Sequence, residues 1–78
     1  MKVVQDQSII DRCNDQQVFK QYQKACRYIN LRLYQTVDLK LLQPKSAGIY
    51  QFRITKKYRA LAIKKDTSFY VFHISDHQ

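Results

Sequence analysis

The residues best suited to chemistry crowd into the second half of the chain. The two histidines, His73 and His77, fall four apart in the closing stretch FHISDHQ, with Asp76 beside the second. Upstream lie Lys40, Arg53, Lys56, Lys57 and Arg59. An imidazole exchanges protons near neutral pH. Guanidinium and ammonium groups stabilise charge that builds on a phosphate. These residue types suit cleavage of RNA without metal. That reaction deprotonates a 2′-oxygen, stabilises a pentacovalent phosphate and protonates the leaving 5′-oxygen. The H-x3-H spacing is also half of a zinc finger, but Cys13 and Cys26 do not complete it. Residues four apart on a strand stand roughly 13 Å from each other, so no metal site is expected. No cofactor is expected either.

The elements that must carry these groups follow from periodicity. Val18, Phe19, Tyr22, Ala25, Cys26, Ile29 and Leu33 recur at threes and fours, which predicts a helix over 15–33. Asn14 and Asp15 offer its N-cap. A shorter helix at 8–13 opens on Ser8 with Asp11 three residues on, and residues 2–4 suit a short strand. Residues 39–48 read as a connector punctuated by Pro44 and Gly48. The period then changes to two. In IYQFRIT, Tyr50, Phe52 and Ile54 share one face, while Gln51, Arg53 and Thr55 take the other. YRALAIK and SFYVFHIS are the next strands, with turns at Lys56-Lys57 and KDTS. Connections this short imply antiparallel hairpins. The fold class is α+β, two helices packed on one face of a small antiparallel sheet.

This layout places Arg53 on the face away from Phe52, with Arg59 in reach across the hairpin. His73 falls on the third strand and His77 past its end, while Lys40, Lys56 and Lys57 ring the sheet. Basic side chains on a sheet suit RNA, which presents phosphates, 2′-hydroxyls and stackable bases. They equally suit a solvated sheet kept basic against edge-to-edge pairing.

Composition narrows the partners. A chain of 78 residues makes one domain, residues 1–78. Hydrophobic residues at 45% argue against disorder. The net charge of +8 points to an anionic partner, and residues 31–78 hold nine basic residues against three acidic. Two cysteines are too few for a secreted disulfide scaffold, and Cys26 reads as a small buried hydrophobe. The sequence has neither a signal-peptide pattern nor an apolar run of membrane-spanning length. A cytoplasmic protein without membrane contact is expected.

The stretch LKLLQPKSAGIYQFRITKKYRALAIKKDTSFYVFHISDH resembles the RelE/ParE toxin superfamily of bacterial toxin–antitoxin systems, and within it the RelE/HigB-like cytotoxic translational repressors. The pattern is L-x-x-L, then G-I-Y-x-x-R-I, Y-R-A-L, a hydrophobic strand and I-x-x-H. It covers about half of the chain. The resemblance implies the order β-α-α-β-β-β. It also implies a metal-independent endoribonuclease that cuts messenger RNA, usually in the ribosomal A site, leaving a 2′,3′-cyclic phosphate and a 5′-hydroxyl. By resemblance Arg59 contacts the scissile phosphate, Arg53 fills a basic strand position and His77 is the acid or base. Lys40 and Lys57 match further basic positions. The implied partners are a cognate antitoxin, whose acidic or helical segment covers the basic sheet, the ribosome, and operator DNA bound together with the antitoxin. Gln51 stands where some relatives carry lysine, and the tyrosine that follows the I-x-x-H histidine in relatives is not in this sequence. Two alternatives therefore stand beside the nuclease. One is a ParE-like inhibitor that binds DNA gyrase. The other is a shortened, inactive toxin that only binds its antitoxin. Arg53, Arg59 and His77 on one side favour the nuclease.

Overall fold

The structure is a computed structural model and describes residues 2–13 and 16–76. The expected N-cap residues Asn14 and Asp15, and His77, lie outside the described residues. The chain forms β1 (Lys2–Gln5), α1 (Gln7–Arg12), α2 (Gln16–Asn30), a 3-10 turn (Tyr34–Val37), β2 (Lys40–Leu41), a second 3-10 turn (Lys45–Ala47), β3 (Ile49–Arg53), β4 (Tyr58–Lys65) and β5 (Ser68–Asp76). The sheet order is β1-β5-β4-β3-β2. The expected antiparallel meander is its centre. The sheet as a whole is mixed, because β1 runs parallel to β5, Lys2 beside Ser68 and Gln5 beside Val71. The α+β class holds.

One face of the sheet is filled by the apolar stripe of α2. Tyr22, Ala25 and Ile29 are buried there at the spacing the periodicity gives. The strands answer with Phe52, Ala60, Ala62, Phe69, Val71 and Ile74. Small side chains at Ala60 and Ala62, both fully buried, leave room on the central strand for neighbouring rings. Tyr22 stacks on Phe52 with centroids 6.4 Å apart, and Tyr50 meets Phe69 edge-on at 5.2 Å. The Tyr22 hydroxyl donates to Gln5 Oε1 at 2.7 Å, which ties α2 to β1.

Element ends differ from the sequence expectation for local reasons. The N-cap of α1 is Asp6 and not Ser8: the Asp6 carboxylate accepts from the Ser8 backbone N–H at 3.1 Å and from the Ser8 hydroxyl. Helix α2 stops at Asn30 instead of 33. Arg32 adopts φ 64°, and the N–H groups of Arg32 and Leu33 donate back to the carbonyls of Ile29 and Tyr28. This closure satisfies the last carbonyls of a helix. It swings Leu33 off the apolar stripe and leaves it exposed. The connector 39–48 holds an unforeseen strand, β2, with Lys40 beside Gln51 and Leu41 beside Tyr50. Gly48, at φ 67°, turns the chain into β3, a left-handed conformation that suits glycine.

Candidate nucleic-acid interface

The face of the sheet opposite the helices carries most of the candidate residues, and the strand register sorts them into rows. Arg53 pairs with Arg59, and Arg59 with Ser75. The next row is Lys40, Gln51, Leu61 and His73. The one beyond is Ile49, Ile63, Tyr70 and Val4. Alternation puts all of them on the outer face, since Phe52, Ala60, Ala62 and Val71 point inward. Successive rows are about 7 Å apart, and paired residues about 5 Å.

Two arginines directly opposite each other repel. Among the described residues neither has a carboxylate within ion-pair distance. Arg53 is exposed, whereas Arg59 is half-buried and held in place. Arg59 Nη1 donates to the backbone carbonyls of Thr55, Lys56 and Tyr58, at 2.5, 3.1 and 3.2 Å. Those carbonyls belong to the β3–β4 turn. The Thr55 hydroxyl shapes the same turn by accepting from the N–H groups of Lys57 and Tyr58. One nitrogen thus anchors the guanidinium, and its remaining N–H donors are left for an anion. Two adjacent guanidinium groups of this kind can together bind one anion.

The lysines play unequal parts. Lys57 stands 3.7 Å from the Asp76 carboxylate, with its Nζ over the Tyr58 ring. Lys40 stands 3.8 Å from Asp38. Both pairs are exposed and so cost little to open. Lys56 is exposed on the turn beside Arg59. His73 is half-buried, one row from Arg59. The proposed partner histidine, His77, follows Asp76 and lies outside the described residues.

The register also contains a feature the sequence reading missed. Leu61 pairs with His73 but Ala62 with Val71, so Phe72 is an extra residue in β5. Such a bulge turns two successive side chains to one face. Phe72 and His73 therefore both emerge outward, and Phe72 is 46% exposed, as is Tyr70. The signal was present: inward Val71 and Ile74 are three apart, not two.

The cysteines stand apart from this face. Cys13 is buried and Cys26 half-buried, both as free thiols. Burial raises both, Cys26 to about 11, which leaves them protonated and weakly nucleophilic. Cys26, Phe19, Tyr22 and Val3 line an open groove of about 460 Å³ between α2 and β1. Among the described residues no group of histidines, cysteines and carboxylates is arranged to hold a metal, and no helix is long and apolar enough to cross a membrane. Compared with known proteins, the chain matches no family model, no curated protein and no solved structure at a significant level.

Proposed function

We propose that this protein is a RelE-like toxin of a type II toxin–antitoxin system, a metal-independent endoribonuclease that cuts messenger RNA and stops translation in the cytoplasm. The observation that carries the reading is the Arg53–Arg59 pair, unbalanced by carboxylate among the described residues and set on an open sheet face. The sequence resemblance assigns Arg59 to the scissile phosphate and Arg53 to a basic strand position. In the reaction, the 2′-oxygen attacks the adjacent phosphorus, the bond to the 5′-oxygen breaks, and a 2′,3′-cyclic phosphate remains. Arg59, fixed by the turn, and Arg53 stabilise the extra charge on the pentacovalent phosphate. Proton transfer falls to His77 by resemblance, and His73, one row from Arg59, contacts the RNA. Lys40, Lys56 and Lys57 hold flanking phosphates. A cognate antitoxin with an acidic segment silences the enzyme by covering the basic face, and the ribosome presents the message.

The test is purified protein on free RNA and on messenger RNA in stalled ribosomes, with and without EDTA. Products ending in cyclic phosphate and 5′-hydroxyl are expected in both metal conditions. Arg59→Ala should lose cleavage and growth arrest together while remaining folded. Full activity in folded Arg59→Ala, or no cleavage of either substrate by the wild type, would refute the assignment.

A further inference from the structure

The outer sheet face has a second half that phosphate chemistry leaves unexplained. Past the row of Lys40, Gln51, Leu61 and His73 it is apolar and open. Ile63, Tyr70 and Phe72 are each 46% exposed, with Leu61 and Val4 between and beside them. A solvated sheet face would carry polar residues at these positions. Apolar residues exposed together on one face mark a binding surface. Tyr70, Phe72 and Val4 border a shallow depression of about 360 Å³, with Gln5 and Asp6 at its rim. The Asp6 carboxylate is already engaged by Ser8 at the start of α1.

Resting on the nuclease reading, we infer that this half is a stacking platform for unpaired RNA, and that Phe72, turned outward by the bulge in β5, is its principal contact. Charge decides the occupant. The band is framed by Arg53, Arg59 and His73 at one end, by Lys40 at the β2 edge, and by Lys65 where β4 meets β5. The chain carries +8 overall, so a second copy would bring like charge against like. A single strand meets both halves at once: its phosphates reach the arginine row while a neighbouring base lies flat on the Phe72 and Tyr70 rings. Basic residues beside exposed aromatic faces are what single-strand binding requires. Duplex RNA hides its base faces and gains nothing from such a platform. The bulge is what makes this possible, because regular alternation would bring only one of Phe72 and His73 to this face.

The experiment measures anisotropy of a fluorescent single-stranded RNA, and of the matching duplex, against wild type, Phe72→Ala, Phe72→Leu and Phe72→Trp. Thermal unfolding verifies each fold, and Tyr70→Ala is a second route to the same surface. Phe72→Ala should weaken single-strand binding roughly 5- to 150-fold, the equivalent of one lost stacking contact. Phe72→Leu should weaken it similarly, since bulk without a π-face cannot stack. Phe72→Trp should bind as well as wild type, and duplex affinity should not change. If Phe72→Ala keeps wild-type affinity and cleavage, the inference is overturned. If Phe72→Leu binds as wild type, general apolar contact replaces stacking and the inference again fails. A wild type that neither binds nor cleaves RNA defeats the nuclease reading itself, which is a separate result.

Discussion

Replacing Thr55 with valine should loosen the turn that aims Arg59 while leaving the Arg59 charge in place. The Thr55 hydroxyl accepts from Lys57 N–H at 3.2 Å and from Tyr58 N–H at 3.0 Å. A hydrogen bond contributes about 1 kcal/mol net. These two lie at the surface end of the hairpin, where water takes over part of the role, so the expected loss is about 1 kcal/mol in total. Arg59→Ala removes the donation from Nη1 to three turn carbonyls. One half-buried nitrogen serving three acceptors contributes about 1–2 kcal/mol, and relief of the repulsion from Arg53 returns about 0.5 kcal/mol. The two variants should therefore melt within a few degrees of each other, each about 4–8 °C below wild type. Only Arg59→Ala also removes the charge from the face. Thermal unfolding followed by circular dichroism gives the first comparison, and RNA cleavage at 25 °C gives the second. Thr55→Val should retain activity within about tenfold of wild type, and Arg59→Ala should lose about 100-fold or more. If both lose activity equally while folded, Arg59 serves the turn and not the phosphate.

Other expectations follow from the core and from charge. Phe52→Ala, at a fully buried position stacked on Tyr22, should cost about 3–5 kcal/mol in urea unfolding. A chain of this length has roughly 4–12 kcal/mol of total stability, so an unchanged midpoint would mean that the Tyr22–Phe52 contact is not central. Burial holds the Cys26 thiol at about 11 against an ordinary 9.0, and pushes the Tyr22 phenol up as well. The folded state thus keeps these protons more tightly. Its stability should be complete below pH 9 and fall as the pH climbs through 11, and Cys26→Ala should blunt the first part of that fall in urea titrations. RNA affinity should drop linearly on a log–log plot against salt, and Arg53→Ala should reduce the slope by about 0.7, one phosphate contact. A slope equal to wild type would place Arg53 off the RNA path.

Much of this was readable in the sequence because two periods dominate it. Threes and fours from Val18 to Ile29 set the buried stripe of α2, and alternation through Tyr50 and Phe52, continued by Ile54 just past the strand, set the inner face of β3. The four-residue turn between Arg53 and Tyr58 then brought Arg53 opposite Arg59, as the hairpin reading required. What escaped depended on single residues breaking a period. Arg32 in a left-handed conformation ended α2 before Leu33, where no glycine announced it. The two-residue β2 is too short to show a period and exists through its pairing with β3. The bulge at Phe72 shifted the phase of β5, and the stacking half of the face came with it. The partner of β1 was likewise invisible, because parallel pairing joins residues with no local signal between them.

That pairing has a kinetic consequence. Lys2 lies beside Ser68, at opposite ends of the described chain, and β1 in turn supports α1 and α2 through Val3 and the Gln5–Tyr22 hydrogen bond. During synthesis β1 emerges before its partner and waits for β5. The β3–β4–β5 hairpins form from near neighbours, but the helices gain a complete floor only when the last strand arrives and β1 docks at its edge. Closing so long a loop carries a larger entropic cost than forming the hairpins. A nascent chain therefore holds its strongly basic surface in an incomplete frame until β5 has emerged.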